Sequence, residues 1–395
     1  MEERMQLSGN AKDSWKLTRA SHLLGINYPI IQAPFGGLAS QRLTAEVSNL
    51  GGLGSLGAVT LDQSGIRDAA AEIRSLTSKP FAINLWVSTS DRESSHISSD
   101  RIEVKIRQFR QYYAELGIET PSKVEPRHQD FEAQARAVIE ARPAVFSFIY
   151  GIPPAEILDE CRKQGIKTVG TATTPEEAVA LENAGFDFIV ASGFEGGGHR
   201  GSFLRPPADS LVGGISLIPQ VVDAVSVPVI AAGGIADGRA VVAALALGAE
   251  AVQIGTAFLS CDGSGASEAY RAALGSDAAK RTGLTEAFTG RLARGLRNRL
   301  MDELMDLNST PLPFPLQHAV TQTVASAAST RGKIEFMTLW AGQSAALSRC
   351  TAAVEFMTQL IAEVDACLSR VLRRNCEKSE TQQHFSFTQD EKLFP

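Results

Sequence analysis

The chain has 395 residues, 44% hydrophobic and 21% charged, with a formal net charge of −6. That composition fits a globular protein with a large core, long enough for one α/β barrel with additions or for two medium domains. The acidic balance excludes general binding to nucleic acid or to an anionic membrane surface, and the longest apolar stretch, 229–259, is interrupted by Asp237, Arg239 and Glu250.

Eight short β-rich runs alternate with helix-period segments. In chain order they cover 28–33, 52–56, 81–86, 144–149, 167–170, 186–191, 228–232 and 251–254. Helices are expected at 43–49, 69–76, 154–164 and 237–247, and another after Thr174-Pro175-Glu176-Glu177. In that start a hydroxyl cap, a first-turn proline and acids near the positive end of the dipole occur together. Eight alternations predict a parallel (β/α)8 TIM barrel, with a doubly wound open sheet as the rival.

The polar, charge-rich segment 89–142 reads as a helical insertion between the third and fourth strands. After Cys261 helical patterns follow at 268–274, 290–305, 319–329 and 339–376, broken by Pro311-Leu312-Pro313-Phe314-Pro315. The expected organisation is a barrel over 1–262 and a smaller, mainly helical, substrate-covering domain over 263–338. Helices over 339–376 return to the barrel, and 377–395 form a disordered tail. Met1 to Gln6 lack the apolar core of a secretory signal. Five cysteines without a Cys-x-x-Cys pair, and six scattered histidines, predict reduced thiols, a cytoplasmic setting and no metal site.

Three successive strands run into glycine loops. Gly196-Gly197-Gly198 follows the sixth, Gly233-Gly234 the seventh and Gly255-Thr256 the eighth. Backbone N–H groups in such loops approach a bound group closely, and barrel enzymes commonly hold phosphate after strands seven and eight. The three loops together point to a phosphorylated cofactor. His199, inside the first loop, is the proton-transfer candidate. Arg200 reads as solvent-facing or as an anion partner, and Glu195 as solvated or as orienting His199. Asn84, Gln32 and Gln253 are amides in apolar strands, each a ligand contact or a bond to neighbouring backbone. Arg291, Arg294, Arg297 and Arg299 form either a charged helix face or an anion-steering group.

These motifs resemble one family over most of residues 22–350. The resemblance rests on Pro29-Ile30-Ile31-Gln32-Ala33-Pro34, Glu195-Gly196-Gly197-Gly198-His199-Arg200-Gly201 and Leu217-Ile218-Pro219-Gln220-Val221-Val222-Asp223. It continues through 228–237, Gln253-Ile254-Gly255-Thr256 and Phe288-Thr289-Gly290-Arg291-Leu292-Ala293-Arg294, then Pro313-Phe314-Pro315-Leu316-Gln317 and Leu339-Trp340-Ala341-Gly342-Gln343. The family is the FMN-dependent nitronate monooxygenases, formerly called 2-nitropropane dioxygenases.

The resemblance implies a (β/α)8 barrel with a smaller helical domain over the strand ends, and one noncovalent FMN. It also implies oxidation of alkyl nitronates or nitroalkanes by O2 to a carbonyl compound and nitrite. Asn84, Gly197, Gly234, Gln253, Ile254, Gly255 and Thr256 fall on flavin-binding positions, with Gly198 and Gly233 in the same loops. The turn of Gln32, Ala33, Pro34 and Phe35 lies against the isoalloxazine, and His199 falls on the catalytic base. Two positions depart: Ser192 replaces a usual glutamine that contacts the flavin, and Phe35 a usual methionine. A small-molecule substrate and O2 are the expected partners, and a homo-oligomer is compatible. The competing readings are an NAD(P)H-dependent flavin reductase of an enoyl thioester or quinone, a tailoring enzyme on the same scaffold, and a flavin-free sugar-phosphate barrel.

Overall fold

Each of the eight apolar runs forms a strand in the computed structural model. It describes residues 14–38, 40–87, 97–125, 129–306 and 310–386, with side chains to 371 apart from 306. The strands are β1 (Ile30–Gln32), β2 (Gly54–Gly57), β3 (Phe81–Trp86), β4 (Val145–Ile149), β5 (Lys167–Ala172) and β6 (Phe188–Ser192). After the two-residue β7 (Gly198–His199) come β8 (Val229–Ala232) and β9 (Ala251–Ile254). All but β7 pair in parallel in the order β1-β9-β8-β6-β5-β4-β3-β2. A bridge between Ile31 and Leu53 joins the two ends, with the Leu53 N–H donating to the Ile30 carbonyl at 3.0 Å. The sheet is thus a closed barrel, and the open-sheet rival falls.

Helices α1 (Arg19–Leu24), α2 (Gln41–Asn49), α3 (Gln63–Leu76), α4 (Ser99–Gln108), α5 (Arg110–Glu115) and α6 (Phe131–Ala141) precede β4. Between later strands lie α7 (Ala155–Lys163), α8 (Pro175–Asn183), α9 (Gly214–Ala224) and α10 (Gly238–Ala246). Thr174 caps α8 through its side chain, which accepts from the Glu177 N–H, and Asp237 caps α10 in the same way. The barrel interior is filled by Val145, Val169, Phe188, Val190 and Ile230, and α1 contributes Ala20 and Leu24 to that cluster as a plug.

The expected insertion is narrower than 89–142. Helix α6 packs on α3 and β3 and buries Ala135, Val138 and Ile139 in the barrel wall. Only α4 and α5 stand apart. Their Ile106, Phe109, Tyr112 and Tyr113 join a second core with Leu296, Leu300 and Val320 from the segment after the barrel. Residues 88–96 and 126–128 of that segment lie outside the described residues.

After β9 the chain forms α11 (Thr256–Leu259), α12 (Glu268–Leu274), β10 (Thr282–Thr285), β11 (Ala293–Leu296), α13 (Arg299–Asp306), α14 (Leu316–Thr330) and α15 (Ala353–Ser386). The helix expected at 290–305 is corrected: its first part is β11, antiparallel to β10 on one side and to β7 on the other. Likewise 339–352 is not helical apart from a 3-10 turn at Ala345–Leu347, and the helix begins at Ala353. It continues to Ser386, past the boundary at 377 expected for an irregular tail; 387–395 lie outside the described residues. Helix α15 lies against α10 and α2, which is the place of the eighth barrel helix. The Glu363 carboxylate accepts from the Gly238 N–H at 3.1 Å, and Trp15 donates its indole N–H to Asp365 at 2.8 Å. No described helix is long and apolar enough to cross a membrane.

Candidate active site

Parallel strands place all their carboxyl ends on one rim, so the loops after β6, β8 and β9 meet there. The Gly193 N–H donates to the Ala232 carbonyl at 2.8 Å, tying the first loop to the second. Gly233 and Gly234 have φ of +100° and +71°, left-handed values that favour glycine, and a Cβ on Gly233 would sit 2.9 Å from the Gly193 oxygen. A segment returning from the outer core locks the loops together. Gly342 donates its N–H to Thr256 Oγ1 at 3.0 Å, Gln343 to the Glu195 carbonyl at 2.9 Å, and Ser344 donates its hydroxyl to the Gly234 carbonyl at 2.6 Å. Gly197 meets this segment so closely that a Cβ would lie 2.6 Å from the Ala341 carbonyl carbon. The sequence singled out the Leu339 to Gln343 motif without revealing this clasping role.

The residues expected to hold a cofactor gather on this rim, with different side-chain fates. A Cβ on Gly198 would meet nothing within 4 Å, and one on Gly255 only the Ala33 methyl at 3.8 Å, so bare backbone faces open space there. Gln253 is half-buried, and among the described residues its amide makes no hydrogen bond. Asn84 is buried and donates to the Ser147 carbonyl at 3.1 Å and hydroxyl at 3.0 Å. A backbone cradle with an unspent amide beside it fits a phosphorylated cofactor.

Gln32 takes the backbone alternative of the two that its position left open. Its amide donates to the Ser55 carbonyl at 2.9 Å and accepts from the Ser55 N–H at 3.0 Å, so the side chain stitches β1 to β2. Ile254 points into the wall core and offers only backbone. Ala33 and Pro34 are half-buried, and Phe35 packs against both the wall core and the outer core. The Ser192 hydroxyl makes no hydrogen bond among the described residues, while its carbonyl accepts from Arg200.

His199 lies in β7, paired with Ala293 of β11, so the catalytic candidate is held between barrel loop and outer sheet. Its Nε2 is 2.9 Å from Thr289 Oγ1. The ring packs against Trp86 at 5.0 Å between centroids, Trp340 at 5.1 Å and Tyr150 at 6.5 Å. Burial, then the Arg291 and His318 charges, push its pKa down from 6.5 to about 3. The imidazole is therefore neutral at physiological pH. Burial lowers His318 as well. Trp86 and Tyr150 were not singled out from the sequence, and Thr289 and Trp340 stood in the 288–294 and 339–343 motifs without a role of their own. Trp86 ends β3, and an aromatic residue at a strand's carboxyl end was the available signal.

Arg200 is neither solvent-facing nor an anion partner. It is 6% exposed and donates to the carbonyls of Thr173, Ser192 and Ser210, binding the loops after β5 and β6. Burial pushes its pKa down to about 10, so it stays charged. Glu195 does not orient His199; its carboxylate accepts from the Gly214 N–H at 2.8 Å, at the start of α9. Arg294 is buried in β11 and donates to the Phe194 carbonyl at 3.1 Å, whereas Arg297 and Arg299 are exposed and pair with Asp302 and Glu115.

Comparison with known proteins agrees with this geometry. The profile of the family described as nitronate monooxygenase matches residues 18–363. A probable nitronate monooxygenase of Staphylococcus aureus (strain Newman) is 40% identical over 352 residues, covering 89% of this chain and 98% of the relative. Among solved structures, the nitroalkane oxidase from Streptomyces ansochromogenes is 35% identical with a TM-score of 0.80, covering 89% of this chain and 99% of its own. FabK from Thermotoga maritima is 27% identical with a TM-score of 0.71, covering 91% and 99%. A closed barrel with a histidine in the glycine loop after its sixth strand, and likeness along nearly the whole length, lead to one assignment: the chain belongs to the nitronate monooxygenase family.

Proposed function

We propose that this oxidoreductase of nitronates and nitroalkanes binds FMN on the barrel rim and uses His199 as its base. Gly197, Gly198, Gly233, Gly234, Gly255 and Thr256 would hold the phosphate through backbone N–H groups. Asn84, Gln253, Ser192 and the turn at Ala33, Pro34 and Phe35 would meet the rest of the cofactor. When bound, the flavin supplies the electron acceptance and the reaction with O2 that no side chain can provide. The chain's own part is to bind, to exclude water and to move a proton. Trp86, Tyr150 and Trp340 surround the imidazole with apolar surface. With a neutral nitroalkane, His199 takes the α-proton; a preformed nitronate needs no such step.

The observation that carries this reading is the neutral imidazole set between the glycine loop and the aromatic rings. Oxygen consumption with nitroethane and with ethylnitronate tests it, with flavin identity read from the same sample by chromatography. The His199→Ala variant should lose about 10²–10⁴-fold on nitroethane and far less on ethylnitronate. Equal losses on both would remove the base assignment. Rapid bleaching of the flavin by NADPH without oxygen would instead favour the reductase reading. We further propose that the protein works in the cytoplasm.

A further inference from the structure

Thr289 has no part in the steps above, yet its hydroxyl is the polar partner of the His199 ring. Nε2 lies 2.9 Å from Thr289 Oγ1, and among the described residues Nδ1 makes no hydrogen bond. Two backbone groups of Arg291 meet the same oxygen: the N–H donates to it at 3.3 Å, and the carbonyl accepts from it at 3.2 Å. The Arg291 side chain packs instead on the rings of Tyr150 and Phe314. Thr289 is buried in a turn closed by its own N–H and that of Gly290, which donate to the Glu286 carbonyl at 3.3 Å and 2.7 Å. His199 is fixed by its pairing with Ala293, so backbone holds both ends of the contact.

A hydroxyl has one proton to donate and two lone pairs with which to accept. The Arg291 carbonyl can only accept, and the Arg291 N–H can only donate. If the Thr289 proton went to Nε2, two oxygens would face each other at 3.2 Å with no hydrogen between them. With that proton on the carbonyl, one lone pair receives the Arg291 N–H and the other is left for a second donor. At 2.9 Å that donor is Nε2–H. A neutral imidazole carries a single N–H, so the ring's unshared pair then lies on Nδ1.

We infer that Thr289 is a positioning residue: it holds His199 as the Nε2–H tautomer, which makes Nδ1 the atom that receives the α-proton. The inference rests on the base assignment for His199. The α-carbon–hydrogen bond breaks, the proton goes to Nδ1, and the electron pair becomes the carbon–nitrogen double bond, with the charge on the nitro oxygens. The ring turns positive while its Nε2–H bond to Thr289 stays in place and becomes charge-assisted. Neither the hydroxyl nor the imidazole has to rotate. A preformed nitronate needs no proton acceptor, so Thr289 acts on the neutral substrate.

The test reads the ring first and then removes the hydroxyl. Nitrogen NMR of full-length protein with 15N-labelled histidine, near neutral pH, separates protonated from bare ring nitrogens. Among the six histidines, His199 is identified by the signals absent from His199→Asn. The wild type should show Nε2 protonated and Nδ1 bare. Thr289→Val, similar in shape, should lose that signature. It should also lower kcat on nitroethane about 10- to 100-fold, the worth of a charge-assisted hydrogen bond, with little change in turnover of ethylnitronate. Thr289→Ser keeps the hydroxyl and should restore both. A wild-type ring protonated at Nδ1 overturns the inference, as does a folded Thr289→Val protein with an unchanged ring signature. Should the valine variant not fold, the wild-type signal decides alone, Nε2–H for the inference and Nδ1–H against it. The ring signal needs no turnover. If His199→Ala loses equally on both substrates, the base reading and the Nδ1 acceptor fall together, while the tautomer is still read separately.

Discussion

Burial of His199 makes acid stability a direct measure of the site. Its folded pKa of about 3 lies below the ordinary value of 6.5. As pH falls through 6.5, the unfolded chain takes up a proton that the native protein refuses. Stability is therefore fully present above about pH 6.5 and is lost progressively until the native imidazole itself titrates. Between pH 6.5 and pH 5 the loss is about 1.5 pH units at ~1.4 kcal/mol each, or roughly 2 kcal/mol. That figure is an upper value, because the half-buried ring keeps some access to solvent from the rim. The perturbation is His199→Asn, which retains a hydrogen-bonding group for Thr289 but cannot titrate. Urea unfolding followed by near-UV circular dichroism at pH 7.5 and pH 5 gives both stabilities. The variant should lose up to about 2 kcal/mol less than the wild type across this interval. Carboxylates and His318 titrate in both proteins and cancel in the difference. Parallel losses, matching within about 0.5 kcal/mol, would refute the burial account.

Further outcomes follow from the same geometry. The kcat/KM for nitroethane should show no acidic limb between pH 6 and 8, because His199 stays unprotonated there; an inflection near 6.5 in the pH–rate profile would contradict this. Gly197→Ala should drive the Ala341–Gly342 peptide off the loop, seen as flavin lost on gel filtration and a melting temperature lowered in proportion to about 1–3 kcal/mol. Arg200→Lys should cost about 2–4 kcal/mol in urea unfolding, since one ammonium cannot serve the three carbonyls that the guanidinium joins.

The barrel was legible because its strands are short apolar runs, most of them closed by glycine, proline or a capping residue, and those signals are local. His199 was legible for a similar reason, since the glycines that expose it are its sequence neighbours. What escaped depends on distant partners. Thr282–Thr285 and Ala293–Leu296 lack strand-like alternation, and they become strands only by pairing with each other and with Gly198–His199. Arg294 and Arg200 read as surface charges, because nothing nearby in sequence shows the carbonyls of Phe194, Thr173, Ser192 and Ser210 that receive them. Helix α6 falls within the segment 89–142, whose charges before it read as an insertion, although its own Ala135, Val138 and Ile139 stripe is that of a wall helix. The Trp86, Tyr150 and Trp340 enclosure draws its rings from three distant parts of the chain.

Because α15 stands in the eighth wall position, vectorial synthesis leaves that side of the barrel bare until most of the polypeptide has left the ribosome. β1 and β9 can already pair by then, across some two hundred intervening residues, but Trp15 must wait for Asp365. The outer core thus has the chance to assemble before the wall is sealed, and an unsealed nascent chain exposes apolar surface for an extended time. Early termination before residue 353 would remove more than an appendage: it would leave a barrel with a permanent open flank.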